Sequence, residues 1–266
     1  MYRLLAIDLD GTLLNPHHSI TPRTLDVLLR AMASGMHVVI ATGRVPYSVH
    51  SVLGALTLNA PMITSNGATI IDTRTNTIIS QQLVPEQYIL SVFDAARRLD
   101  LQFCYYTHDY LYAEQVLYTG QNWYLADVPV RSVPDIAAVY PQPCIKIGAY
   151  GEAETLREKR LKLERLFAGQ LYVTQTAARW LEFLHPEVSK ANALQHIARL
   201  LDVQPSEIIA FGDNHNDLEM LRFAGLGVAM GNAHEEVKAV ADYVTLTNYE
   251  DGVADALEKF ALALPR

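Results

Sequence analysis

Four short apolar runs in this chain stop abruptly in polar clusters, and that repeated ending constrains the fold more than any other feature. Leu4-Leu5-Ala6-Ile7 runs into Asp8-Leu9-Asp10-Gly11-Thr12, and Val38-Val39-Ile40-Ala41 into Thr42-Gly43-Arg44. Met62-Ile63-Thr64 runs into Ser65-Asn66-Gly67, and Ile208-Ile209-Ala210-Phe211 into Gly212-Asp213-Asn214-His215-Asn216-Asp217. Runs this short and uniformly apolar suit strands buried on both faces, as in a parallel sheet. Helical periodicity fills the gaps between them. Thr21-Pro22 places an N-cap and a first-turn proline before Leu25, Leu28, Leu29 and Met32, with Gly35 as the stop. Pro46 opens a second helix through Val49, Val52, Leu53 and Leu56. Strands alternating with helices imply right-handed crossovers and a shared strand direction. Their carboxyl ends then lie on one sheet edge, where open α/β sheets bind ligands, so the polar endings can converge there.

The middle of the chain breaks this pattern. Residues 68–72 and 77–80 read as one hairpin, and 102–106 with 111–113 as another, split by Thr107-His108-Asp109. A helix from Pro85 runs through Ile89, Val92, Phe93 and Ala96. A strand at 145–150 is followed by a charged amphipathic helix over 152–168, with Leu156, Leu163, Leu166 and Phe167 on its apolar side, and by strands at 171–176 and 180–184. Alternation then resumes: Ser189 caps a helix through Ala193, Leu194 and Ile197, Leu226–Met230 forms a strand, Val237, Val240 and Ala241 lie on a helix, and a last helix spans 252–262. The expected fold is α/β: a Rossmann-like parallel-sheet core of residues 1–82 and 185–266, carrying an inserted α+β cap domain at 83–184. The cap aromatics Phe103, Tyr105, Tyr106, Tyr110, Tyr112, Trp123 and Tyr124 can line a pocket for a ring, and most of them suit the cap's hydrophobic core.

Charge narrows the partners. A formal net charge of −8 argues against nucleic acid and anionic membranes, which need a basic surface, while leaving room for an anionic small molecule in a locally positive pocket. Cys104 and Cys144 stand far apart in apolar surroundings and read as buried thiols. The N-terminus enters a strand without a signal-peptide pattern, and no apolar run nears the ~18 residues of a membrane span, so a cytoplasmic location is expected.

The polar endings also carry chemistry. If the first strand continued through them, alternation would point Asp8 and Asp10 to the same side. Two such carboxylates repel unless a cation joins them, and oxygen ligands favour magnesium. One carboxylate can act as nucleophile and a second as acid or base. Asp213 offers a third carboxylate; Thr42 and the Thr42-Gly43 N–H groups can meet phosphate oxygens, Lys190 supplies a point charge, and Asn216 can bond a ligand oxygen or orient Lys190. Each has a plainer reading: an acidic turn at Asp8–Gly11, an ordinary turn at Thr42-Gly43, a solvated Lys190 and a type I′ turn at Asn66-Gly67, while Asp217 reads equally as a first-turn helix carboxylate and as a support behind the metal ligands. His215 reads as a loop residue, and His196 and His234 lack zinc-ligand spacing.

Asp8-Leu9-Asp10-Gly11-Thr12-Leu13-Leu14 resembles the first motif of the haloacid dehalogenase superfamily of phosphatases. Thr42-Gly43-Arg44 resembles its second motif, Lys190 its third and Gly212–Asp217 its fourth. Ser65-Asn66-Gly67-Ala68, Met230-Gly231-Asn232-Ala233 and Asp251-Gly252-Val253-Ala254 resemble stretches of the Cof-type branch (subfamily IIB), which carries an α/β cap between its second and third motifs. Ala191 stands where that branch often has glycine. The resemblance implies a nucleophile at Asp8 and an acid/base at Asp10. It implies Mg²⁺ held by the side chains of Asp8 and Asp213 and the backbone carbonyl of Asp10. It assigns phosphoryl binding to Thr42, Gly43, Lys190 and Asn216, assisted by the Leu9 and Asp10 N–H groups. The implied activity is hydrolysis of small phosphorylated metabolites, such as sugar phosphates or pyridoxal phosphate, through an aspartyl-phosphate. A phosphotransferase or phosphosugar mutase using the same intermediate, and a non-catalytic phosphometabolite-binding protein, are the alternatives.

Overall fold

The computed structural model describes residues 1–108, 110–114 and 129–262. In chain order the elements are β1 (Leu4–Ile7), α1 (Pro22–Ala33), β2 (His37–Ile40), α2 (Pro46–Leu53), β3 (Met62–Thr64), β4 (Thr69–Asp72), β5 (Thr77–Gln81), α3 (Glu86–Arg98), β6 (Gln102–Tyr106), β7 (Leu111–Ala113) and β8 (Val130–Ser132). They continue with β9 (Lys146–Tyr150), α4 (Ala153–Leu166), β10 (Tyr172–Ala177), β11 (Trp180–Leu184), α5 (Lys190–Leu200), β12 (Ile208–Gly212), α6 (Leu218–Phe223), β13 (Leu226–Ala229), α7 (Glu235–Lys238), β14 (Tyr243–Val244) and α8 (Gly252–Phe260). Two compact units emerge, one made of Met1–Ile79 with Ser189–Arg266, the other of Ser80–Val188.

The first unit is a Rossmann-like α/β core. Its parallel sheet has the order β14-β13-β12-β1-β2, so β1 lies at the point where the chain leaves in both directions. Such a switch point opens a crevice at the carboxyl ends of the strands. Register sets Ile7 beside Phe211 on one flank and Ile40 on the other, which brings the residues after Ile7 next to Gly212 and Asp213. Both faces of β1 are covered, and its residues are wholly buried, which explains the uninterrupted apolar run. β3 follows β2 through a single parallel bridge, Ala41 to Ile63, and turns into an antiparallel sheet with β4 and β5.

Local signals account for the helix starts. The Thr21 hydroxyl accepts from the Thr24 N–H at 3.1 Å ahead of Pro22, and the Ser189 hydroxyl accepts from the Asn192 N–H at 3.1 Å. Some expected faces are wrong. In α1 the inward stripe is Thr24, Val27, Leu28 and Ala31; Leu29 is 48% exposed, and Leu25 and Met32 pack only at the margin. The orientation follows from the Thr21 and Thr24 hydroxyls, which donate to Asp251 before α8. In α4, Leu166 points outward while Leu156, Leu163 and the capping Phe167 are buried. α7 stops before Val240 and Ala241, and α8 stops at Phe260. β1 ends at Ile7, so strand alternation does not orient Asp8 and Asp10.

The second unit is α+β. Its sheet has the order β10-β11-β9-β6-β7-β8, antiparallel except for the β7–β8 pair. Phe103, Tyr105, Ile147, Leu181 and Phe183 form its core with Val92, Phe93, Leu156 and Leu163 of α3 and α4. Residues of opposite parity on the same strands include Lys146 and Glu182, a buried ion pair that also receives the Trp180 indole N–H at 3.3 Å. Tyr112 joins the core and Tyr110 packs against it; Trp123 and Tyr124 lie outside the described residues. No helix among the described residues is long and apolar enough to cross a membrane.

Candidate active site

Where β1 ends, the chain folds into a tight turn rather than continuing extended. The Asp8 N–H still donates to the Phe211 carbonyl at 3.1 Å, but the Asp8 carbonyl accepts from Leu13 and the Leu9 carbonyl from Thr12 and Leu14. Leu9 itself is wholly buried. Gly11 has φ +87°, and a Cβ there would overlap the Asp213 carboxylate, so glycine is required on two counts. The Thr12 hydroxyl donates to Asp213 Oδ1 at 2.8 Å. Across the edge, Gly212 gives the same clearance to the Asp217 side chain. Asp217 Oδ2 accepts from the N–H groups of Asp213 and Asn214, each at 3.0 Å, closing the short 3-10 turn His215–Asp217.

Lys190, the first residue of α5, reaches this cluster. Its Nζ lies 2.6 Å from Asp8 Oδ1 and 2.6 Å from Asp217 Oδ1, and its side chain is 1% exposed. Burial pulls the ammonium's pKa down, but the two carboxylates together outweigh it and hold it above the usual lysine range. Burial pushes the Asp8 carboxyl well up; Lys190 opposes this, while Asp217, Asp213 and Asp10 add to it. Asp213 is raised to about 7, chiefly by burial and then by Asp217, against the Thr12 hydrogen bond and Lys190. Oxygens of Asp8, Asp213 and Asp217 all lie within 4.8 Å of one another. One ammonium cannot neutralise three carboxylates. An all-oxygen donor set, cleared by two glycines and short of positive charge, fits a hard divalent cation.

Asp10 is placed differently. Its carboxylate turns to Arg44, whose Nε donates at 2.8 Å to one oxygen and Nη2 at 2.9 Å to the other. Arg44 is buried, with Nη1 also donating to the Ser48 carbonyl at 3.3 Å, whereas the Asp10 side chain is 32% exposed. The Thr42 hydroxyl accepts from the Arg44 N–H at 3.1 Å, which leaves its own O–H to donate. The Thr42 N–H is spent on the Ile63 carbonyl at 3.0 Å, so it does not face a ligand as the sequence suggested. Asn216 bonds not to Lys190 but to Asn66, its Nδ2 donating to Asn66 Oδ1 at 2.8 Å. His215 is exposed beside His234, with ring centroids 4.9 Å apart.

The structure thus brings Asp8, Lys190 and Asp213 into one cluster, sets Asp10 on Arg44, and sets Asn216 on Asn66. Sequence reasoning left out Arg44, assigned Asn66 to a turn, and left Asp217 undecided. For Asp217 a signal existed: four positions after Asp213, across a turn opened by Gly212, its carboxylate returns to the same edge.

Comparisons with known proteins agree over the whole length. The model of the haloacid dehalogenase-like hydrolase family matches residues 5–257. YxeH of Bacillus subtilis, provisionally named a phosphatase, is 33% identical over 99% of this chain and 100% of its own. YcsE of the same organism, a 5-amino-6-(5-phospho-D-ribitylamino)uracil phosphatase, is 31% identical over 98% of this chain and 96% of its own. Among solved structures, the phosphatase BT1666 of Bacteroides thetaiotaomicron superposes with TM-score 0.85 at 31% identity, covering 98% of this chain and 96% of its own. The subclass IIB sugar phosphatase BT4131 superposes with TM-score 0.84 at 25% identity, covering 98% and 99%.

Proposed function

The chain belongs to the haloacid dehalogenase-like hydrolases and is a phosphatase of that family, and on this premise we propose that it hydrolyses small phosphorylated metabolites with Mg²⁺ through an aspartyl-phosphate at Asp8. The observation that carries the reading is the buried Asp8–Lys190–Asp217 triplet beside Asp213. A nucleophilic carboxylate attacking a phosphate dianion must overcome like-charge repulsion, and this cluster concentrates the groups that offset it.

An Asp8 oxygen attacks phosphorus and the bond to the leaving oxygen breaks. Asp10 gives that oxygen a proton. Water then attacks the aspartyl-phosphate while Asp10 takes a proton back, releasing inorganic phosphate and restoring Asp8. Asp10 now rests on Arg44, so delivering the proton requires its carboxyl to leave the guanidinium. Thr42, Gly43, Lys190 and Asn216, with the Leu9 N–H, bind the phosphoryl oxygens. The carboxylates of Asp8 and Asp213 and the carbonyl of Asp10 would hold Mg²⁺, which would supply further charge neutralisation.

Residues 1–82 and 185–266 are assigned the chemistry, and the inserted 83–184 the choice of substrate. The relatives' substrates, a phosphoribityl compound and sugar phosphates, favour phosphate esters of polyols and sugars, with pyridoxal phosphate a further candidate, in the cytoplasm. Hydrolysis of a panel of phosphorylated metabolites, with Mg²⁺ and with EDTA, tests the reading. Mg²⁺-dependent phosphate release that Asp8→Asn abolishes supports it, and no release from any ester in the panel refutes it.

A further inference from the structure

The turn Ser65–Gly67 lies outside the catalytic assignments, yet it ties together the elements that carry them. Three successive residues adopt positive φ: Ser65 at 50°, Asn66 at 59° and Gly67 at 105°. Only the last is glycine, and Ser65 and Asn66 are both buried, at 0% and 1% exposure. A left-handed serine and asparagine in succession are costly unless their surroundings over-determine them.

The surroundings do so from three sides. The Ser65 N–H donates to the Arg44 carbonyl at 2.7 Å and the Asn66 N–H to the Thr42 carbonyl at 2.9 Å, so the turn holds the Thr42-Gly43-Arg44 loop from behind. Gly67 rests directly on the Ser189 carbonyl, at the cap from which Lys190 projects, where any Cβ would collide. The Asn66 side chain fills the space over Gly43, where a Cβ would come within 3.1 Å of its Oδ1, and the same oxygen accepts from Asn216 Nδ2.

We propose that Asn66 is a positioning residue of the phosphoryl site, fixing the orientation of the Asn216 amide and the path of the Thr42-Gly43 loop. This rests on the phosphoryl-binding role given to Asn216 above. Asn66 offers an acceptor oxygen, so Asn216 presents its NH₂ group to it; the reversed amide would set two carbonyl oxygens against each other. One N–H of Asn216 is used, and the second is left to donate to a phosphoryl oxygen. Among the described residues Asn216 Oδ1 is buried without a partner, so Asn66 supplies the bond that sets the amide's polarity.

The test compares Asn66→Gly, Asn66→Ala, Asn216→Ala and the Asn66→Gly/Asn216→Ala double variant, all with Mg²⁺. Readouts are kcat/KM on an aryl phosphate, affinity for inorganic phosphate by calorimetry, and Tm. Glycine relieves the left-handed backbone and alanine does not, so Asn66→Gly melts above Asn66→Ala. If the amide is what matters, both variants still lose kcat/KM and phosphate affinity alike, each by about tenfold, the scale of one oriented hydrogen bond to a charged ligand. In the Asn216→Ala background, Asn66→Gly then adds less than about twofold. Wild-type kinetics and phosphate affinity in Asn66→Gly overturn the proposal. So do losses that multiply in the double variant, or losses that follow Tm rather than the amide. An unimpaired Asn216→Ala overturns the role of Asn216 and this proposal with it. A wild-type protein that binds phosphate but turns over no ester refutes the phosphatase reading alone, and the calorimetric series still decides the role of Asn66.

Discussion

Without a divalent cation the Asp8–Asp213–Asp217 cluster carries more negative charge than Lys190 balances, and the cost depends on pH. Asp213 is the measurable member: burial beside Asp217 raises it from an ordinary 3.8 to about 7. Between those values the folded, metal-free protein binds a proton that the unfolded chain has lost, so its stability falls as pH rises through that window. The gap of about 3 pH units corresponds to roughly 4 kcal/mol at most, lost by pH 8 relative to pH 4. At ~2–4 °C of Tm per kcal/mol for a unit of this size, that is a shift on the order of 10 °C. Mg²⁺ favours the ionised carboxylates, so the Tm gained on adding it grows from pH 5 to pH 8. Thermal melts in EDTA and in saturating Mg²⁺ across this range measure both trends. The net charge of −8 adds its own pH dependence, which Asp213→Asn separates out. An asparagine oxygen can still accept from Thr12, so this variant raises the metal-free Tm at pH 8 and loses most of the Mg²⁺ gain. An equal Mg²⁺ gain at pH 5 and pH 8, or an Asp213→Asn that melts lower in EDTA at pH 8, rules out a buried, cation-deficient Asp213.

Three further outcomes follow from the same geometry. Because the Asp10 carboxylate lies on Arg44 and outside the carboxylate cluster, Asp10→Asn keeps the Mg²⁺-dependent Tm gain while steady-state kcat falls by about 10²–10⁴. Gly11→Ala sets a Cβ against the Asp213 carboxylate at a left-handed position; it destabilises the protein by at least ~1–2 kcal/mol in urea melts and abolishes the Mg²⁺ gain. Lys146→Met takes the ammonium away from the buried Glu182 carboxylate and costs about 3–5 kcal/mol, read from tryptophan fluorescence on denaturation, while Lys146→Met/Glu182→Leu recovers much of it.

Features written in local chemistry were legible in the sequence. The strand-end clusters, the Thr21 and Ser189 caps and the change from a parallel to an antiparallel pattern each rest on neighbouring residues, and the fold follows them. What stayed illegible depends on residues distant in the chain. The inward face of α1 is set by Asp251, about 230 positions away, so Thr24 is buried and Leu29 is not. Asp8 and Asp10 part company because the chain turns at Ile7 and a buried Arg44 waits for one of them. Asn66-Gly67 has the composition of a common turn, and only the loops it touches distinguish it. The Thr42 N–H is lost to a one-bridge contact with β3 too brief to leave a pattern.

The proposed chemistry turns on a covalent phosphoryl group at Asp8. Acid-quenching the Asp10→Asn variant during turnover of a ³²P-labelled ester, then reducing the acyl phosphate with borohydride and mapping the modified peptide, tests it directly. Label on the quenched protein and homoserine at position 8 are expected, with neither formed by Asp8→Asn. Continued phosphate release by Asp8→Asn, or modification mapped to another residue, contradicts it.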